Sequence, residues 1–141
     1  MKPSHTIEGQ GNQRFPVTSR PWGRFETFAA QRGWLFKRLI VEPRRRLSLQ
    51  YHRHRAEYWV AVRGEGIAWI GERQVLMRPG KMLYVPVGVA HRIENTHPEQ
   101  LLEVLEIQLG ALLSEDDIVR LADDYGRVCE LCAVSMSGAS S

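Results

Sequence analysis

The sequence predicts a single all-β domain made of antiparallel strands. Short runs of β-branched and aromatic residues fill the chain from Arg24 to Leu109, and glycine or proline interrupts them about every ten residues. Segments this short leave no space for the crossover helices of a parallel sheet, so an antiparallel sandwich or barrel is expected. With 141 residues, 43% of them hydrophobic and 25% charged, the chain can bury one core without a disulfide or a structural metal.

Each predicted strand ends where a turn-forming residue breaks the apolar run. In chain order the predicted strands are Arg24–Phe28, Trp34–Val41, Leu47–His52, Glu57–Arg63, Gly66–Ile70, Arg73–Met77, Met82–Val85, His91–Glu94 and Leu101–Leu109.

A short C-terminal helix is predicted after the last strand. Ser114 stands as an N-cap before a run of acidic residues that ends at Asp117, which is a capping-box pattern. Gly126 stands where a helix commonly ends. An apolar stripe at three- and four-residue spacing is expected to pack on the barrel, and it comprises Ile118, Leu121 and Tyr125.

The chain divides into three predicted parts. Residues 1–20 form a polar N-terminal arm, residues 21–127 form the domain with its helix, and residues 128–141 form a flexible tail. Cys129 and Cys132 fall in that tail and are expected to be reduced thiols. Neither a membrane-spanning apolar run nor a secretory signal is visible, so a cytoplasmic protein without membrane contact is expected.

The basic residues indicate a small anionic ligand. The formal net charge is +3, and Lys2, Lys37 and Lys81 are the only lysines among 19 basic residues. The planar fork of arginine suits phosphate and carboxylate groups. A net charge this small does not indicate nucleic acid as a partner.

Side chains that commonly bind metals gather in two segments. Gln50, His52 and His54 point to one face if they lie in a strand, and Glu57 follows them. His91 comes 34 residues after Glu57 and supplies a further candidate. These groups suit zinc, manganese, iron, cobalt or nickel. Their spacing predicts a metal site without choosing between Gln50 and His54 as a ligand.

The same two segments resemble a known superfamily. Residues 80–95 have the pattern G-x5-P-x-G-x2-H-x3-N, and E-x6-G joins Glu57 to Gly64. These patterns resemble the two motifs of the cupins. Over residues 20–127 the chain resembles the type II mannose-6-phosphate isomerase cupin, which commonly forms the C-terminal part of bifunctional enzymes that also carry mannose-1-phosphate guanylyltransferase. Stretches that carry this resemblance include 20–23, 47–50, 55–57, 91–95, 115–120 and 124–127.

The resemblance implies a cupin jelly-roll barrel with one divalent metal ion inside, most commonly zinc. In cupins with a four-residue gap before the glutamate, two ligands lie seven and five residues before it. Here those positions are Gln50 and His52. The implied ligand set is therefore Gln50, His52, Glu57 and His91, and the rival set replaces Gln50 with His54.

The resemblance also implies interconversion of mannose 6-phosphate and fructose 6-phosphate. His54 and Glu106 are the candidates for the catalytic base. Arg92 is the first candidate for the phosphate clamp, followed by Arg120 and the run at 44–46. Related cupins often form homodimers through their sheets, so a homodimer is expected.

Departures from the family pattern leave other functions open. Arg44 stands where the first motif has glycine, Tyr58 replaces a common histidine, and Arg53 stands where another histidine is often found. The last two departures favour a non-catalytic cupin that binds a sugar or sugar nucleotide and acts with a separate guanylyltransferase. An iron-dependent oxygenase is a third reading. A chain of 141 residues is not expected to contain a guanylyltransferase.

Overall fold

The computed structural model describes residues 15–127, and over that range the chain forms eleven β-strands. The all-β prediction is confirmed. The strands are β1 Val17–Arg20, β2 Gly23–Gln31, β3 Trp34–Val41, β4 Leu49–Tyr51, β5 Arg55–Arg63, β6 Gly66–Ile70, β7 Arg73–Met77, β8 Met82–Val85, β9 His91–Glu94, β10 Leu102–Gly110 and β11 Val119–Ala122.

Two antiparallel sheets face each other across the core. The larger sheet has the order β1-β2-β3-β10-β5-β8, and the smaller sheet has the order β11-β4-β9-β6-β7. Buried apolar side chains from both sheets form one cluster, which includes Trp59 and Val104 from the larger sheet and Ile70 and Ile93 from the smaller. This is the jelly-roll architecture that the sequence predicts.

The inward-facing positions change from apolar to polar along several strands. On β10 the buried residues Leu102 and Val104 are followed at the same two-residue period by buried Glu106 and Gln108. The other strands that line the interior show the same change, with Lys37 on β3, Arg55 and Glu57 on β5, and His91 on β9. One end of the barrel is therefore filled by apolar side chains and the other by ionisable ones.

The predicted C-terminal helix is wrong. Ser114 does accept a hydrogen bond from the Asp116 amide through its Oγ at 3.1 Å, as an N-cap would. The Asp117 amide then donates to the Ser114 carbonyl at 3.1 Å and closes a single turn, after which no helix follows up to residue 127. Residues 119–122 instead form β11, which pairs with β4 at the edge of the smaller sheet. Pairing with β11 satisfies backbone groups of β4 that a helix would leave unpaired. The Asp117 carboxylate accepts hydrogen bonds from the backbone amides of Arg53 and His54, which belong to another segment of the chain.

The structure also extends the sheet into the predicted N-terminal arm. Val17–Arg20 form β1 and pair with β2 through a tight connection at Pro21 and buried Trp22. Residues 1–14 and 128–141 lie outside the described residues, and with them most of the arm, the whole predicted tail and both cysteines.

Arg44 occupies a backbone conformation that favours glycine. Its φ is 60°, and the Arg45 amide closes the turn by donating to the Glu42 carbonyl at 3.2 Å. An L-residue in this region costs about 1–2 kcal/mol. The turn of the first cupin motif is thus kept here without its glycine. Within residues 15–127, no helix of membrane-spanning length and hydrophobicity occurs.

Candidate metal centre and substrate cavity

Three buried side chains converge at the polar end of the barrel. His52 directly follows β4, Glu57 lies on β5, and His91 begins β9. One ligand atom from each lies within 4.8 Å of the other two. Each of these residues is at most 2% exposed. Three of the four predicted metal ligands are therefore brought together.

The Nδ1 atoms of the two histidines bind backbone carbonyls and their Nε2 atoms face each other, with Arg55 Nη2 3.3 Å from the Nε2 of His52. His52 donates from Nδ1 to the Asp117 carbonyl at 2.7 Å, and His91 donates from Nδ1 to the Val89 carbonyl at 2.8 Å. In the neutral ring the other nitrogen then carries a bare lone pair. The two Nε2 atoms lie 3.1 Å apart. Such an arrangement is repulsive unless a proton or a metal ion lies there, so the residues fit a divalent metal.

The ionisation of these groups agrees with that fit. Burial favours a neutral Glu57, but its close contacts with His52, 2.9 Å away, and with His91 and Arg55 hold the pKa of this carboxyl well below its ordinary value. Burial also lowers the pKa of His91, more than the charge of Glu57 raises it. At neutral pH the centre therefore offers a carboxylate and a neutral imidazole, the forms that bind metals.

The structure separates the two candidates for the fourth ligand. Gln50 lies opposite His91 across the β4–β9 pair, and its Oε1 accepts a hydrogen bond from Ser48 at 3.1 Å. His54, in contrast, is exposed, because β4 ends at Tyr51 and the alternation that would turn His54 inward stops there. His54 lines a separate surface pocket with Asp116 and Val119. The structure thus pairs Gln50 with His91 in the sheet and leaves His54 on the surface.

Glu106 is a second carboxyl group inside the barrel. Its Oε2 accepts a hydrogen bond from the Trp59 indole at 3.0 Å, and the same indole donates to Glu57 at 3.0 Å. Its Oε1 accepts from Gln108 at 2.7 Å. Burial and the charge of Glu57 raise the pKa of Glu106 to about 7. A carboxyl group that titrates near neutral pH is suited to general acid–base chemistry.

One cavity joins Glu57 and Glu106 to a group of cations. Its lining contains five basic and three acidic side chains. The Arg120 Nε is buried without a hydrogen-bond partner among the described residues. Burial and the neighbouring positive charge of Arg127 also lower the pKa of Arg120. A half-buried arginine with an unpaired Nε, in a cavity whose lining has more basic than acidic side chains, fits an anionic ligand.

Arg92, the first predicted phosphate ligand, does not line this cavity. Its side chain is on the opposite face of β9 from His91 because neighbouring strand residues alternate. The guanidinium donates to the Leu47 carbonyl at 2.9 Å and to the Ala122 carbonyl at 3.4 Å. Arg92 thus ties β9 to the segments beside it through backbone acceptors and stands outside the cavity lining.

Sequence reasoning missed several cavity residues. Arg55 lies in the motif itself and donates to Glu57 at 3.2 Å, so its place two residues before the glutamate was an available signal. The others gave no local signal, because their positions depend on sheet pairing. They are Arg20, Lys37, Gln108, Glu115 and Arg127.

Asp117 holds the segment before β11 against the metal centre. Its two carboxylate oxygens accept hydrogen bonds from the backbone amides of Arg53 and His54, both at 3.0 Å. Its carbonyl accepts from His52 Nδ1. The same residue thus shapes the turn that follows His52 and fixes the orientation of the imidazole ring.

We expect Asp117→Asn to weaken divalent metal binding about 10- to 100-fold, the usual cost of losing such a supporting group. The amide presents an N–H toward one of the two backbone amides, so one hydrogen bond is lost and the His52 ring is released. Titration of the metal-free protein with zinc measures the effect. Asp116→Asn is the matched control, because Asp116 is exposed beside it. Equal zinc affinity in both variants would contradict this role.

The two-sheet barrel and its buried His–Glu–His centre define a cupin with a candidate metal site. A family model described as mannose-6-phosphate isomerase C-terminal matches residues 9–123. The chain therefore belongs to that family.

Relatives agree with this assignment, and a solved structure shares the fold. The xanthan biosynthesis protein XanB of Xanthomonas campestris pv. campestris is 44% identical over 109 residues, covering 77% of this chain and 23% of the relative. A mannose-1-phosphate guanylyltransferase of Klebsiella pneumoniae is 41% identical over 109 residues, with the same coverage of both chains. This chain thus spans less than a quarter of the length of these relatives. A cupin 2 conserved barrel domain protein from Rhodopseudomonas palustris shares the fold, with a TM-score of 0.57 and 19% identity over 67% of this chain and 68% of that one.

Proposed function

We propose that the chain is a metal-dependent mannose-6-phosphate isomerase, which interconverts mannose 6-phosphate and fructose 6-phosphate. One observation carries the proposal. A single cavity contains the metal-site carboxylate of Glu57, the second carboxyl group of Glu106 and the unpartnered guanidinium Nε of Arg120. The names of the relatives place those proteins in xanthan biosynthesis and mannose-1-phosphate guanylyl transfer. We therefore assign the proposed activity to the supply of mannose phosphates for polysaccharide synthesis.

The proposed metal ligands are Gln50, His52, Glu57 and His91, for one divalent ion such as zinc. The bound ion supplies a Lewis acid for the sugar oxygens O1 and O2. The protein holds its imidazoles in the correct tautomer through the Asp117 and Val89 carbonyls.

Glu106 is the proposed base. The reaction moves a proton between C2 of the aldose and C1 of the ketose, so one group that takes up and returns a proton serves both directions. The Trp59 and Gln108 donors hold the carboxylate in place. Burial keeps its basicity close to neutral pH, where it both accepts and releases a proton readily. His54 lies outside this cavity lining, which favours Glu106 over it.

Arg120 is the proposed phosphate ligand, with Arg20 and Arg127 beside it in the cavity lining. Arg127 is paired with Asp123 at 2.8 Å, whereas no carboxylate pairs with Arg20 or Arg120 within residues 15–127. Two arginines without a counter-ion are available to a phosphate group.

We expect Arg120→Met to raise the KM for mannose 6-phosphate about 10- to 100-fold, the cost of one or two charge-assisted hydrogen bonds. Steady-state kinetics measures the change. Arg73→Met is the matched control, since Arg73 is exposed on β7. An unchanged KM in Arg120→Met would refute the phosphate assignment.

The proposed activity is tested with the zinc- or cobalt-loaded protein. Conversion of mannose 6-phosphate to fructose 6-phosphate is expected in a coupled assay that consumes fructose 6-phosphate. Absence of turnover in a folded protein with stoichiometric metal would contradict the proposal.

The sequence offers two departures from the family pattern, Arg53 and Tyr58, in favour of a non-catalytic cupin. Both residues lie outside the cavity lining. Tyr58 stacks on Tyr84, 4.9 Å away between ring centroids, on the outer face of the larger sheet. Arg53 is exposed and lines the surface pocket beside His54. Neither position touches the chemistry proposed for Glu106, so these departures do not favour the alternative.

The expected homodimer also remains a proposal. Exposed apolar side chains on the outer face of the larger sheet support it, among them Met82, Tyr84 and Ile107.

A further inference from the structure

One buried hydrogen-bond acceptor in the cavity lacks a donor. Gln108 is 1% exposed, and its Oε1 has no hydrogen-bond partner among the described residues. Its Nε2 is used, because it donates to Glu106 at 2.7 Å. Leaving a buried acceptor unsatisfied destabilises the folded protein. Such a group in a native cavity therefore calls for a donor from outside the protein.

The contact with Glu106 determines which atom of the amide is left over. In the ionised form that acts as the proposed base, the Glu106 carboxylate accepts hydrogen bonds and cannot donate them. Turning the Gln108 amide around would bring its oxygen against the Glu106 oxygen. The NH₂ group must therefore face Glu106, and the oxygen is directed elsewhere.

The neighbouring residues of the sheet supply no donor for that oxygen. Across the strand pairs, Gln108 lies opposite Glu57 on β5 and Leu35 on β3. The first is a carboxylate with a strongly lowered pKa, and the second is apolar. Along β10, the next residue on the same face is Gly110, which has no side chain.

Two basic side chains of the same lining have other hydrogen-bond partners. Lys37 pairs with Glu115 at 2.6 Å. Arg55 donates to Glu57 at 3.2 Å and to the Ser114 carbonyl at 3.0 Å. The missing donor therefore comes from outside the protein, from water in the cavity or from a bound ligand that displaces it.

We propose that Gln108 Oε1 accepts a hydrogen bond from a hydroxyl group of the bound sugar phosphate, one that the metal does not hold. This inference rests on the proposed function, since it assigns a residue of the same cavity to recognition of the substrate. Two orphan atoms in one lining, the Arg120 donor and the Gln108 acceptor, match a ligand that is anionic in one part and hydroxylated in another. Gln108 is then the residue by which the site distinguishes a polyol phosphate from a less hydroxylated phosphate.

The specificity follows from the cost of leaving the acceptor unpaired. A site built to bind a hydroxyl group discriminates strongly against an analogue without it, because the buried partner then stays unsatisfied. An analogue that lacks the recognised hydroxyl should bind about 10- to 100-fold more weakly than its parent.

The test uses the zinc-loaded full chain and calorimetric binding of mannose 6-phosphate and its 3-deoxy and 4-deoxy analogues. We expect one analogue to bind the unmodified protein about 10- to 100-fold more weakly than mannose 6-phosphate. In Gln108→Met, which keeps the length of the side chain but not its acceptor, this analogue and the parent should bind equally. Gln74→Met, on an exposed part of β7, is the control and should retain the discrimination.

The failures are distinguishable. If the unmodified protein binds no sugar phosphate, the proposed function fails and this inference with it. If it binds mannose 6-phosphate and both analogues equally, the role of Gln108 alone is overturned, and this result does not depend on whether Gln108→Met folds. Discrimination that persists unchanged in folded Gln108→Met also overturns it. Binding of inorganic phosphate should be the same in Gln108→Met and the unmodified protein, because that probe has no sugar hydroxyl; a parallel loss would overturn the assignment.

Discussion

Replacing His91 with alanine should remove stoichiometric metal and abolish isomerisation. His91 Nε2 lies 3.1 Å from His52 Nε2 and 3.8 Å from the Glu57 carboxylate, so its loss takes one of three converging ligands from a buried centre. Structural and catalytic metal sites depend on their full ligand count, and the remaining pair is not expected to hold the ion through purification. Metal content by mass spectrometry and the coupled assay measure the two effects.

His54→Ala is the matched control for that experiment. His54 is an exposed histidine in the turn that follows His52. We expect this variant to keep both metal and activity, whereas Gln50→Ala should lower metal affinity. Stoichiometric metal in His91→Ala would refute the proposed centre. If His54→Ala lost its metal and Gln50→Ala kept it, the rival ligand set with His54 would be favoured instead.

Glu106→Gln should lower kcat about 10²- to 10⁴-fold, the usual contribution of general acid–base catalysis. The amide keeps the shape of the side chain and its contact with Trp59, but it has no basic oxygen to remove the C2 proton. Metal binding should be unaffected, because Glu106 lies outside the His–Glu–His group. Glu103→Gln, on the other face of β10, is the control. Near-normal kcat in Glu106→Gln would exclude this residue as the base.

The pH dependence of Glu106 gives a second, independent measurement. Burial and the charge of Glu57 raise its pKa to about 7 in the folded protein. The folded state therefore holds a proton that the unfolded state has lost between the ordinary pKa of 4.5 and about 7. The stability contributed by this group is present below the lower value and is lost as the pH rises to the upper one.

In metal-free protein, the free energy of unfolding should thus fall by roughly 2–3 kcal/mol across this range, relative to Glu106→Gln. Denaturant unfolding in a chelator at several pH values measures it. In the metal-loaded enzyme, activity should rise with pH as Glu106 ionises. This ionisation should occur at a lower pH than in the metal-free protein, because the positive ion stabilises the carboxylate. The raised pKa would be contradicted if the free energy of unfolding depended on pH in the same way in the unmodified protein and in Glu106→Gln.

Much of the fold follows from local patterns. The boundaries of β3, β6, β7, β8 and β9 agree with the predicted strands, because turn residues end each run and side chains alternate within it. The metal centre was also predictable in part, since His52, Glu57 and His91 stand at spacings typical of cupins. The helix predicted for the segment from Ser114 to Gly126 was wrong. Its capping residues suit a helix locally, but pairing with β4 and the hydrogen bonds of Asp117 outweigh that preference.

The sequence by itself determined an all-β cupin barrel, the family and three candidate metal ligands, His52, Glu57 and His91. Only the tertiary structure decided which polar side chains enter the cavity. On β10 the apolar residues Ile107 and Leu109 are each 40% exposed, while Glu106 and Gln108 between them are buried. Local alternation would favour the opposite orientation, with the polar residues in water. The order is reversed because the adjacent strands contribute Glu57, Trp59 and Lys37 to the same interior, and these partners satisfy polar groups that a strand alone would expose.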